Sequence, residues 1–183
     1  MEDQSHQDAR DVICGMDGDI HWRSVLPSSG LDGLTTEGVW ERDGDSVLVR
    51  SKDSTASLTF GEESWEDCEL DVHLTPLEGG NAQVVVRSSY MGAYVVDLML
   101  GWQVVQIART RSHTFDRLSV VDFPLQHGQE YQLRVAARGA SITSYINGRL
   151  VNQTTDFEMK RGKLGLFAWH SVTRYRAPRY RLL

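Results

Sequence analysis

The sequence lacks most of the features that announce a function. It has no run of about 18 apolar residues, so no segment reads as a membrane-spanning helix. It has no Gly-rich phosphate loop, no GxSxG and no HExxH. Cysteine is scarce: Cys14 and Cys68 are the only two. No CxxC and no His/Cys cluster points to a structural zinc. Two isolated cysteines read as small buried hydrophobes, with a Cys14–Cys68 disulfide left open. No segment keeps a helical period over eleven or more residues. The opening MEDQSHQDARD is polar and acidic, the opposite of a secretory signal's basic start and apolar middle. A cytoplasmic protein, or a piece excised from a larger and extracytoplasmic one, both fit that start.

What is present is a globular composition, 40% hydrophobic over 183 residues, enough to bury a core. Net charge is −6, spread unevenly. Residues 1–80 hold 5 Lys and Arg against 19 Asp and Glu, whereas residues 81–183 hold 14 against 6. Either the basic half forms a patch for an acidic partner, or one fold interleaves the halves and the charges offset. Nucleic-acid binding is disfavoured, because it needs a concentrated basic face with exposed aromatics.

Strand grammar fills the chain. In SITSYI (141–146) polar and apolar residues alternate with period two, as in a strand with two different faces. Asn147-Gly148 then supplies two residues tolerant of positive φ, which a type I′ hairpin requires. CELDVHL (68–74) alternates in the same way, with Cys68, Leu70, Val72 and Leu74 on one face. Further strands are predicted over 46–51, 78–89, 93–100, 102–110, 117–123, 130–139, 162–170 and 172–183. Gly101 marks a tight turn or bulge between two of them. Pro178 predicts an edge or a bulge in the last. Strands recurring every 8–15 residues, with no linker and no repeat, predict an all-β jelly-roll sandwich of two antiparallel sheets over residues 13–183, behind a flexible tail at 1–12.

Four stretches carry a family resemblance: WERDGDSVLV (40–49), ESWEDCELDVHLTPLEGGNAQVVVRSS (63–89), YQLRVAARGASITSYINGRLV (131–151) and GKLGLFAWHSVTRYRAPRYRLL (162–183). In order and spacing the chain resembles the concanavalin A-like, laminin-G-like jelly-roll superfamily. Within it, the chain is most similar to the 3-keto-disaccharide hydrolase-type domain. The resemblance implies a jelly roll and either glycan binding or glycoside processing. One strand departs from the family pattern of Gly-Tyr-Glu, an apolar residue and Gln. In GAYVVDLML (92–100) Tyr94 is kept, but Val95 stands where the Glu would be and Asp97 where the Gln would be.

Several residue groups are candidate sites. Glu69, Asp71 and His73, at i, i+2 and i+4 of one strand, share a face and are the catalytic candidates, since glycoside hydrolysis uses converging carboxyl groups. The same spacing also describes an ordinary solvated strand face. Asp17 and Asp19, in DGDIH, are the metal candidates, with calcium the cation such turns suit, although the motif is also simply a good turn. Arg87, Tyr90, Tyr94, Asp97 and Trp102 cluster around one strand-turn-strand unit, and Trp169 ends a later strand. On a concave face these six would bind a glycan, aromatics stacking on C–H patches while Arg and Asp bond hydroxyls. Tyr94 and Trp102 also read as core aromatics. The chain is therefore expected to be a non-catalytic module that binds a glycan or a protein partner. A glycoside-processing hydrolase and a scaffold without a small ligand are the alternatives.

Overall fold

The computed structural model describes residues 21–112 and 114–183. The tail at 1–12, Cys14, and the Asp17/Asp19 turn lie outside the described residues. Among those described there is no helix. The thirteen strands are β1 (Arg23–Ser24), β2 (Thr35–Glu37), β3 (Trp40–Asp43), β4 (Ser46–Phe60), β5 (Cys68–Gly79), β6 (Asn81–Ser89), β7 (Gly92–Met99), β8 (Val104–Arg111), β9 (Thr114–Asp122), β10 (Tyr131–Arg138), β11 (Ser141–Ile146), β12 (Arg149–Thr155) and β13 (Lys163–Leu182).

The strands form two antiparallel layers joined through β4 and β13, which run through both. In the first layer, β2 lies beside the second half of β4, then come the first half of β13, β6, β7, β8 and β9. In the second, β3 lies beside the first half of β4, then come the second half of β13, β5, β10, β11 and β12. The register of β13 on β4 breaks between Trp169 and Ser171, around His170 at φ 48°. A residue in the left-handed region bends a strand sharply, and here it turns β13 from one layer into the other. This is the jelly-roll sandwich that alternation predicts.

Alternation decides what each layer buries. Leu70, Val72 and Leu74 of β5 and Leu133 and Val135 of β10 face inward and are fully buried. They meet Val84 and Val86 of β6 and Val96 and Leu98 of β7 in one continuous core. Cys68 lies in the same core, and burial pushes its thiol pKa up to about 12, so it acts as a hydrophobe. The hairpin at Asn147-Gly148 has φ values of 51° and 78°, the positive pair of a type I′ turn. Pro178 sits where the register of β13 on β5 shifts between Arg176 and Arg179, a bulge as its ring demands. Strands β7 and β8 are separated by more than Gly101 alone. The turn runs from Leu100 to Gln103, with Gln103 at φ 56°, and lifts Trp102 out of the ladder.

Tyr175 ties the layers together. Its ring is fully buried beside Trp40, with centroids 6.1 Å apart. Its hydroxyl lies 2.9 Å from the carbonyl oxygen of Gln83 and 2.7 Å from that of Phe167, and it accepts from the Gln83 N–H at 3.3 Å. Removing it strands buried backbone groups of the opposite layer. Tyr175→Phe is expected to cost about 1–3 kcal/mol of stability in urea denaturation, with no change in the far-UV spectrum of the folded state.

Candidate functional site

The outer face of the first layer is a groove of about 900 Å³. Cross-strand register orders its lining into rows. One row runs Ser57, Phe167, Gln83, Asp97, Gln106. The next runs Thr59, Gly165, Val85, Val95, Ala108, Arg117. Beyond it Ala93 faces Thr110, which faces Phe115. Trp169 lies two residues past Phe167 on the same face of β13, and Trp102 comes from the β7–β8 turn. Val85, Ala93 and Val95, with Phe167 against them, form a small apolar floor separate from the main core. At Gly165 a Cβ would lie 2.8 Å from the Leu58 carbonyl oxygen and 3.0 Å from Val85, so glycine lets β13 approach its neighbours there.

Aromatic surface stays open around this floor. Trp102 is 61% exposed, Phe115 48% and Trp169 46%. The Arg117 guanidinium lies 4.5 Å above the Trp102 ring, a cation–π contact. Trp169 meets His170 edge-on at 4.9 Å.

Asp97 sits in the floor, 1% exposed. Its Oδ2 accepts three amide hydrogen bonds: from Asn81 Nδ2 at 2.7 Å, Gln83 Nε2 at 2.9 Å and Gln106 Nε2 at 3.2 Å. Burial penalises the charged carboxylate more than the amides favour it, and the pKa is pushed up to about 6. Asn81, Gln83, Gln106 and Arg117 belong to the site but not to the sequence expectation. For Gln83 and Gln106 the signal is one polar residue in an otherwise apolar run, AQVVV and VVQIA, at the positions that pair with Asp97 of VVDL. It becomes readable only once the pairing is known.

Of the six residues expected to bind a glycan, Asp97, Trp102 and Trp169 line this groove, whereas Arg87, Tyr90 and Tyr94 do not. Tyr94 belongs to the inward set of β7, buried with Val96 and Leu98, and its hydroxyl donates to Asp156 Oδ1 at 2.5 Å. Arg87 would face the groove by simple alternation with Gln83 and Val85. Instead it has φ 54° at a break in the β6 register, and the bulge turns it into the end of the sandwich. There its guanidinium donates to the carbonyls of Glu66, Gly139 and Met159 at 3.1, 2.7 and 3.1 Å and pairs with Asp67 at 3.3 Å. Tyr90, in the β6–β7 turn, is 90% exposed and is not among the residues that line the groove.

The catalytic candidates share one face, but it is the outer face of the second layer. Glu69 is held by Arg138 at 2.8 Å and Arg181 at 2.7 Å. Asp71 is held by Arg179 at 2.8 Å and by Gln132 Nε2 at 3.1 Å. His73 lies 3.3 Å from Glu130, which also pairs with Arg176 at 2.6 Å. Trp22 lies beneath Arg179 and Arg181, at 4.9 and 4.8 Å. This ladder is where acidic residues of the first half of the chain meet arginines of the second. Its carboxylates are bound to guanidinium groups and none of the three lines the groove. Among the described residues no group of three or more His, Cys, Asp or Glu is placed to hold a metal.

The raised pKa of Asp97 links groove to stability. Its folded value, about 6, lies above the ordinary aspartate value of 3.8. The folded state therefore holds the proton more tightly, and this contribution is full below about pH 4 and lost as pH rises through 6. A shift of that size corresponds to about 3 kcal/mol. Asp97→Asn removes the titration, so its stability relative to the wild type is expected to rise by up to about 3 kcal/mol between pH 4 and pH 8, read from denaturation midpoints across that range.

A search of curated proteins returned no match. Solved structures share the architecture. The carbohydrate binding module CBM66 from Bacillus subtilis aligns with a TM-score of 0.73 at 20% identity, over 80% of this chain and 93% of that one. A Bacillus subtilis protein with a galectin-like fold aligns at 0.69 and 11% identity, over 89% and 95%. The Crh5 transglycosylase aligns at 0.66 and 14% identity, over 87% and 82%. These likenesses establish the fold. The family model of the 3-keto-alpha-glucoside-1,2-lyase-like domain matches residues 21–181, nearly the whole described chain. The chain belongs to the family of 3-keto-alpha-glucoside-1,2-lyase-like domains.

Proposed function

We propose that the groove binds carbohydrate and that the domain acts as a non-catalytic binding module. The observation that carries this reading is the joining of two surfaces in one groove. Open tryptophan and phenylalanine faces suit the C–H patches of a sugar, and a buried amide–carboxylate row suits its hydroxyls. The module of the same fold whose name declares carbohydrate binding supports it. The lining also argues against paired-carboxylate hydrolysis. That chemistry needs two carboxyl groups roughly 5–9.5 Å apart, and Asp97 is the one carboxylate among the described lining residues.

A second reading draws on Asp97 itself. A carboxylate with a pKa pushed up to about 6 in a groove is suited to a general base near neutral pH. In a 1,2-lyase that base would take the proton at C2 of a 3-keto sugar, which the adjacent ketone acidifies, as the C1 substituent leaves. This reading needs a group to protonate the leaving oxygen, and no His, Lys, Tyr or Cys is among the described lining residues.

A glycan-array screen with and without calcium, run on wild type and Trp169→Ala, tests the proposal. The wild type is expected to retain a restricted set of glycans. Trp169→Ala is expected to weaken that binding by about tenfold or more, about 1.4 kcal/mol. Incubation with a 3-keto-glucoside is expected to leave it intact. Release of the C1 substituent, abolished in Asp97→Asn, would establish the lyase instead.

A further inference from the structure

Among the described residues the lining of the groove holds two charged side chains, Asp97 and Arg117. They do not pair with each other. Asp97 Oδ2 is taken by three amides and its Oδ1 has no partner. The Arg117 guanidinium has no hydrogen bond and no ion pair among the described residues. Its close contact is the Trp102 ring, 4.5 Å away.

Most arginines of this chain are spent differently. Arg109 and Arg111 hold Asp116, Arg138 and Arg181 hold Glu69, Arg179 holds Asp71 and Arg176 holds Glu130. Asp116, next to Arg117 in sequence, faces the opposite side of β9 and is already held. Arg149, Arg161 and Arg174 are exposed and also lack a partner among the described residues, but none of them lines the groove. Arg117 alone combines an unspent guanidinium with a place in the groove wall.

Its surroundings say what it could hold. The indole engages the charge and leaves the N–H fork unspent, and that planar fork matches a carboxylate in two parallel bonds. Phe115 stands two residues before Arg117 on β9, so both face the same side, and both line the groove. Phe115 and Trp102 each keep about half or more of their surface open. Apolar surface for a sugar ring and a free fork for an anion therefore meet at the β9 side of the groove.

We infer that this side of the groove is a subsite for a sugar that carries a carboxylate on its ring, with Arg117 holding the carboxylate while Phe115 and Trp102 cover the ring's apolar face. The inference rests on the carbohydrate reading and names the class of sugar. A carboxylate takes two charge-assisted bonds from the fork, whereas a hydroxyl or ketone at the same place takes weaker, uncharged ones, so the subsite ranks an acidic ring above its neutral counterpart. The 3-keto glucoside of the family description is uncharged, so its recognition does not call for this cation. Arg117 is exposed, and salt therefore weakens the preference.

The test is titration calorimetry on matched pairs: an oligogalacturonide, an oligoglucuronide and a sialyllactose, each against its own carboxyl-reduced form. The wild type is expected to bind the acidic member of at least one pair about tenfold or more tightly than the reduced one. Added salt is expected to narrow that gap. Uronides and sialosides both present a ring carboxylate, and the pair that shows the gap identifies the source. In Arg117→Gln the gap is expected to close. Arg117→Lys keeps the charge without the fork and is expected to keep part of it. Equal binding within every pair overturns the inference and leaves carbohydrate binding standing. So does an undiminished gap in a folded Arg117→Gln protein. If none of these sugars binds while the glycan array finds a neutral ligand, the inference falls alone. If array and titrations are both blank, the carbohydrate reading falls with it.

Discussion

The molecule depends on one strand belonging to two sheets. In its first half β13 lies between β4 and β6, and in its second half between β4 and β5. The turn at His170 lets a single backbone do both, and the partner strand β4 follows it. Two separate sheets slide and rotate against each other with only side-chain packing to fix the angle. Here the angle is fixed covalently at one end, and Tyr175 pins it from inside with its bonds to Gln83 and Phe167. The groove inherits that rigidity, because Trp169 immediately precedes the bend and Phe167 and Gln83 sit directly over the tyrosine hydroxyl.

Against this frame, the polar row across the groove floor is a local sacrifice of stability. Asp97 is desolvated, and the partners it has leave other atoms unpaired. A well-packed apolar row would be the more stable choice. The continuous core beneath, with Val84, Val96, Leu98 and Ile107 fully buried, offsets the cost. Structures tend to violate packing rules where they bind or react. The opposite layer shows the contrast: Glu69 and Asp71 are as deeply buried as Asp97, but each has an arginine on it. Both faces carry buried carboxylates, and only the one in the groove has an oxygen left over.

Much of the fold was legible because alternation, turn chemistry and proline constraints are local. Asn147-Gly148 and Pro178 did what their backbones allow. The site was legible in half. Asp97, Trp102 and Trp169 come to the groove. Arg87 does not, because a bulge cancels the alternation that would have placed it there, and a bulge depends on partners distant in sequence. Tyr94 was excludable from the letters alone, since residues three apart on a strand face opposite ways and Tyr94 cannot share a surface with Asp97. Glu69, Asp71 and His73 do share a face, as spacing says. That the face is covered by arginines follows from the register of β5 against β13, which no local pattern encodes. Part of the charge imbalance between the two halves of the chain is offset there, where Glu69 and Asp71 of β5 lie beside Arg181 and Arg179 of β13.

The bulge at Arg87 has a further consequence, for how this sequence can change over evolutionary time. Along a strand, substitution alters one side chain, but a change of length by one residue exchanges every inside for every outside. The segment from Val86 to Ser89 already spends one surplus residue to point Arg87 inward while keeping Gln83 and Val85 outward. A substitution in the groove floor therefore changes one side chain and leaves the register standing. The residue count between Val86 and the β6–β7 turn is held instead, since a single deletion there would carry the guanidinium into the groove and leave the carbonyls of Glu66, Gly139 and Met159 without their donor.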